Sequence, residues 1–173
     1  MKDVTGGLLI VLGTIMLLTK RERKCKKAIA IISQNESNIK GYVTFMHLTD
    51  RTMKVICSIY NLQQGKHGFH VHRSGDISQE CKKVCSHYNP ENKKHGGATG
   101  VNRHKGDLGN IVANENGICT TELIAACSVH EIIGRSIVIH ENEDDLGTGS
   151  NEESMKTGNA GAKLACGVIG IAD

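Results

Sequence analysis

GYVTFMHLTDRTMKVICSIYNLQQGKHGFHV, residues 41–71, sets short runs of alternating or apolar side chains between polar turns. The runs cover 41–48, 53–60 and 66–71, and the breaks fall at 49–51 and 61–65. Period-two alternation rich in Val, Ile, Thr, Tyr and Phe is the pattern of strands with one face in a core. A further run, 28–32, precedes them across a turn at 35–38. Four runs at near-regular spacing predict an antiparallel meander.

The rest of the 173-residue chain extends that reading. Twenty Gly, one Pro and no Trp, with short apolar runs, favour strands joined by many turns over a helical bundle. Strand-like text resumes at 109–113, 118–123, 135–140 and 164–171, whereas 73–106 and 141–162 carry no period. Long aperiodic loops inside a compact domain are usually functional or disordered. The first of these holds Pro90, two Cys and three His, which is not the composition of a linker. The prediction is an all-β, eight-stranded antiparallel Greek-key barrel or sandwich whose two long loops build the site.

Residues 1–26 read as an apolar leader with a basic linker, and 27–173 as one domain. Residues 4–19, VTGGLLIVLGTIMLLT, carry no charge, and six basic residues with one acidic follow at 20–27. As a helix the 16-residue stretch would rise roughly 24 Å, short of a hydrocarbon core of roughly 30 Å. It reads either as a membrane-associated segment or as a disordered leader. If it spans, the basic flank puts the domain on the cytoplasmic side, so the expected setting is cytoplasmic. The net charge of +3 comes from that flank, and the slightly acidic remainder argues against a nucleic-acid partner. Seven Cys is an odd number, so at least one thiol stays outside any intrachain disulfide.

His70 and His72 stand two apart on an expected strand, so their imidazoles project from one face. His87, His95, His104 and Asp107 fall within 21 residues of the first long loop. Three imidazoles and a carboxylate complete a tetrahedral zinc set, and a closed four-ligand site orders a loop instead of catalysing. His140 ends another expected strand. If the fold brings it to His70 and His72, an all-imidazole site suits copper. Spacing alone does not establish that convergence.

At these residues the chain resembles copper/zinc superoxide dismutases. The resemblance rests on GFHVH at 68–72, HYNP at 87–90, KHGG at 94–97, GDLGN at 106–110, IIGRSIVIHE at 132–141 and DDLGTG at 144–149. NEESMKTGNAG at 151–161 and LACGVIGIA at 164–172 complete it, and only the leader falls outside. The resemblance implies copper on His70, His72, His87 and His140, and zinc on His87, His95, His104 and Asp107, one of each per subunit. His87 is then a shared imidazolate and the proton carrier. Asp144 is implied to link His70 to His95, and Cys81 and Cys166 to form a disulfide. Cys57 and Cys119 read as small apolar strand residues, and Cys85 as a loop thiol.

The implied reaction converts two superoxide anions and two protons to dioxygen and hydrogen peroxide by alternating reduction and oxidation of copper. Glu152, Glu153, Lys156 and Lys163 are expected to steer the anion. Lys163 stands where the family carries arginine. It keeps the charge but lacks a rigid fork of donors. The alternative class is a catalytically silent dismutase-like copper-binding or chaperone module. All seven ligands and Asp144 are present, and no CxxC motif precedes the domain, which favours the enzyme. A homodimer is expected through Gly75, Ile133, Val168 and Ile171. The partner that delivers copper is not specified by the sequence.

Overall fold

The computed structural model describes residues 26–33 and 38–173, so the leader expected over 1–26, apart from Lys26, lies outside the described residues. The elements in order are β1 (Lys27–Ile32), β2 (Lys40–Thr49), β3 (Thr52–Tyr60), β4 (Gly65–His72), β5 (Ser78–Cys81), β6 (Asp107–Ala113), β7 (Cys119–Ala125), α1 (Val129–Ile132), β8 (Ser136–His140), α2 (Glu152–Thr157), β9 (Lys163–Val168) and β10 (Gly170–Ile171). One antiparallel sheet runs β10-β1-β2-β3-β7 and the other β6-β4-β8-β9. The two sheets are not closed into a barrel, so of the two forms expected the chain adopts the sandwich.

Alternation does what the sequence implies. Inward-facing Ala28, Ala30, Val43, Phe45, Met53, Val55, Cys57 and Ile59 are buried, and they meet Phe69, Val71, Ile111, Ile137 and Ile139 of the opposing sheet in one core. Each large side chain so buried contributes roughly 1.5–3 kcal/mol.

The expected four-strand meander ends after three strands. β4 leaves β3 for the second sheet, and β7 takes the place beside β3. The reason lies in β4 itself. Its last six residues are all buried, so both faces need cover and the strand sits inside its sheet between β6 and β8. Phe69 and Val71 fill the core, and His70 and His72 point the other way, under the long loops.

The expected last strand, 164–171, is two strands. β9 pairs with β8 and β10 with β1, so the chain changes sheets at Ile169, whose backbone bonds to Arg135 and Gly134 instead. Both stretches read as aperiodic hold one short element. β5 lies in the first, and α2 lies in the second, begun by Asn151 accepting from Ser154 N and ended by Gly158 at φ 69°. Elements of four and six residues are too short to register as a period.

Candidate metal centre

Backbone hydrogen bonds knit the first long loop to β4. Tyr88 N donates to Val71 O (2.8 Å), Val71 N to Gly106 O (2.9 Å) and Gly106 N to Tyr88 O (2.9 Å), which carries His87 and Asp107 to the strand holding His70 and His72. The second loop is tied by Gly68 N to Asn142 O and by His95 N to Met155 O, each 2.8 Å. β8 delivers His140 beside Gly68. A Cβ on Gly68 would meet the side chains of Ala160, His70 and His140, so glycine is what allows the close approach.

Three groups of donor atoms result, each within 4.8 Å of one another and every residue buried: His70, His72, His87 and His140; His87, His95, His104 and Asp107; and His70, His95 and Asp144, which links the first two. His87 belongs to the first and the second. The structure therefore brings together all seven residues singled out in the sequence.

The hydrogen bonds fix which nitrogen of each ring carries the proton. His70 Nε2 donates to Asp144 Oδ2 (2.8 Å) and His95 Nε2 to Asp144 Oδ1 (2.8 Å), so Nδ1 is the atom each ring has available for a metal. His72 Nδ1 donates to Cys85 O (2.8 Å) and His140 Nδ1 to Gly161 O (3.2 Å), which leaves Nε2 of each as a bare lone pair. Those two Nε2 atoms face each other at 3.2 Å. Three further buried nitrogens, His70 Nδ1, His87 Nε2 and His95 Nδ1, have no hydrogen-bond partner; His95 Nδ1 lies 3.1 Å from Asp107 Oδ2 without the geometry of a bond. Buried lone pairs aimed at one another are unfavourable unless a cation lies between them, so this donor set fits metal ions.

Charge follows the same division. Burial pushes His70 and His72 well below the ordinary imidazole range and His140 down to about 4, with His87 adding to each. Neutral imidazoles are the ligand form. Around the second group, burial works to lower His95, but Asp107 and Asp144 outweigh it and raise the ring to about 9. Burial likewise opposes ionisation of Asp144, and its bonds from His70 and His95 prevail, holding it at about 2. Asp107 is drawn below the usual carboxylate range by His104, His87 and His95 against its burial. Asp107 and Asp144 thus surround the second group with carboxylate charge that holds a proton on His95 without a metal, and a dication binding there would take the place of that proton.

His72, His87 and His140 open onto a cleft of about 540 Å³ whose wall includes Lys163, Lys156, Glu153 and Cys85. Glu152 is not in that wall; it pairs with Lys156 at 3.0 Å. Cys81 and Cys166 form a disulfide with Cα atoms 5.8 Å apart, joining β5 to β9. The sequence reading missed the groups that position these ligands. They are the carbonyls of Cys85 and Gly161, the mutual clamp of Asn110 and Asp144 (both contacts 2.8 Å), and buried His67, whose ring bonds to the carbonyls of His140 and Gln63. Backbone carbonyls leave no residue-type signal. His67 was visible only as one more histidine in an apolar strand.

Comparison with known proteins agrees with this geometry. The family profile described as copper/zinc superoxide dismutase matches residues 39–169. The extracellular superoxide dismutase [Cu-Zn] of Drosophila melanogaster is 44% identical over 148 residues, which cover 83% of this chain and 82% of that protein. The crystal structure of the clock protein EA4 superposes with a TM-score of 0.82 at 45% identity, covering 87% of this chain and 97% of that one.

The cytoplasmic setting expected from the leader is corrected here, because the fruit-fly relative is an extracellular protein. That expectation came from the leader, which lies outside the described residues; among the described residues no helix is long and apolar enough to cross a membrane. Fold, paired histidine clusters and sequence relatives agree: the chain belongs to the copper/zinc superoxide dismutase family and is a metal-binding oxidoreductase that dismutates superoxide.

Proposed function

We propose that His70, His72, His87 and His140 hold one copper ion, that His87, His95, His104 and Asp107 hold one zinc ion, and that His87 is shared between them. The observation carrying this is the facing pair of bare Nε2 atoms on His72 and His140 beside the unpartnered Nε2 of His87. An all-imidazole set suits copper, and three imidazoles with a carboxylate suit zinc.

Bound copper would supply the one-electron couple that takes an electron from one superoxide and returns it to another. The chain does the rest. Lys163 and Lys156 present positive charge in the cleft wall to an anionic substrate. His87 Nε2, buried beside the cleft, would carry a proton for peroxide whenever it is not ligating, while its Nδ1 stays 2.9 Å from Asp107 Oδ1. Asp144 keeps His70 and His95 in their ligand tautomers. Gly75, Gly134 and Val168 cluster at one surface with Ile171 exposed, and we read that surface as the contact of a homodimer. An extracellular setting, by analogy with the fruit-fly relative, suits a chain carrying a disulfide.

Metal analysis of two variants tests the assignment. His87→Ala is expected to lower copper and zinc content together, and His140→Ala to lower copper while zinc stays near one per chain. Unchanged contents of both metals and unchanged superoxide decay in His87→Ala would remove His87 from the site.

A further inference from the structure

Away from the metal cluster, the core holds two free thiols in contact. Cys57 on β3 and Cys119, the first residue of β7, are both buried, and their sulfurs lie 3.9 Å apart. The register sets Cys57 opposite Thr121 and Cys119 opposite Ile59, so the two cysteines are diagonal neighbours on the inward face. A lone buried cysteine behaves as a small hydrophobe, but two sulfurs this close have a bond available to them.

We infer that Cys57 and Cys119 form a second, reversible disulfide, closed by the hydrogen peroxide that dismutation releases. A disulfide needs about 2.05 Å between sulfurs, so the pair must approach by roughly 2 Å. The required freedom lies where the topology leaves it. β7 is the outer strand of its sheet, paired only with β3, and Cys119 follows the turn at Gly117, whose φ is 71°. Local opening of an edge-strand end both supplies the movement and admits peroxide to the core. The position of the two thiols also divides their roles. Cys119 stands at the strand end beside the turn, where opening exposes its sulfur first, and the neighbouring Cys57 thiol lowers it, so Cys119 is the nucleophile.

The chemistry balances without a further reagent. The Cys119 thiolate attacks one peroxide oxygen, the O–O bond breaks, and sulfenic acid and hydroxide form. The Cys57 sulfur then attacks the Cys119 sulfur, the S–S bond forms, and the S–O bond breaks. The departing hydroxide takes the Cys57 proton as water. Two thiols and one peroxide give one disulfide and two waters.

The other free thiols among the described residues provide an internal contrast. The Cys85 sulfur is exposed and lies near Lys83 O, and the Cys127 sulfur lies near Ser128 O and Glu131. The metal-loaded enzyme is treated with excess hydrogen peroxide, alkylated in denaturant, digested with trypsin and sequenced by mass spectrometry. The expected product is peptide 55–66 joined to peptide 106–135, lighter than their sum by two hydrogens. Fragmentation should place the bond at Cys119, and dithiothreitol should return the free peptides. Cys57→Ala and Cys119→Ala should abolish the cross-link, and Cys127→Ala should retain it. If Cys57 and Cys119 are still fully alkylated at a peroxide dose that oxidises Cys85, or if the bond maps to Cys127, the inference is overturned. Because fragmentation of the parent protein places the bond, the test does not depend on any variant folding.

Discussion

Lys163 and His87 face the same cleft and are asked for different things. Attraction of superoxide from a distance needs charge alone, which lysine keeps. Docking at the cleft floor needs directed donors, and a flexible ammonium offers fewer in fixed geometry than a guanidinium. Lys163→Arg is therefore expected to raise the second-order rate constant for superoxide decay by a few-fold, about 1 kcal/mol in barrier. Lys163→Met should lower it on the order of ten-fold and flatten its dependence on ionic strength. Rate constants at several salt concentrations check both, and a Met variant matching the parent at every salt would take Lys163 out of steering. Asp144 serves through the rings it holds. An asparagine there can accept from one imidazole but turns an N–H toward the other. Asp144→Asn should weaken metal retention by roughly 10–100-fold, read by competition with a chelator.

Among the elements, β4 matters most to the site, because one strand supplies core on one face and ligands on the other. The short helix α1 offers a stability handle away from the metals. Glu131 accepts from Ser128 N and Ser128 Oγ, each at 3.0 Å, and pairs with Lys105. Burial works to raise its carboxyl, but Lys105 and Ser128 outweigh that and hold it at about 2, below the ordinary 4.5. A depressed carboxyl contributes stability that is fully present above the unfolded value and lost as pH falls through the folded one. Glu131→Gln should therefore cost on the order of 1 kcal/mol near neutral pH, with the difference from the parent shrinking below about 4.5 and gone near 2. Urea midpoints of metal-free protein across that range measure it without a contribution from metal release.

Across the molecule, the Cys81–Cys166 disulfide closes a span of 85 residues that includes β6, β7 and the first ligand loop. In the chain-entropy account such a link contributes roughly 4–5 kcal/mol, an upper figure. Cys166→Ser should lower the urea midpoint and loosen the loop carrying His87, seen as faster amide exchange at Ser86–Tyr88 than in β2. Equal exchange in the two proteins would confine the disulfide's effect to the unfolded chain.

The sequence by itself determined the strands that form the sandwich and the residue types of the site. Period-two alternation records which side of a strand is dry, and His, Asp and Cys at fixed positions record which atoms can ligate or cross-link. It did not determine that β4 would leave the meander, that 164–171 would divide at Ile169 between two sheets, or that α1 and α2 would form. Pairing partners depend on what covers each face, and four- to six-residue elements are too short to show a period. Convergence of His140 with His70 and His72, the carbonyls that set each tautomer and the sulfur contact between Cys57 and Cys119 were decided only by the tertiary structure. Each joins residues some 13 to 73 positions apart or uses a backbone atom that every residue type carries, so nothing local in the chain encodes it.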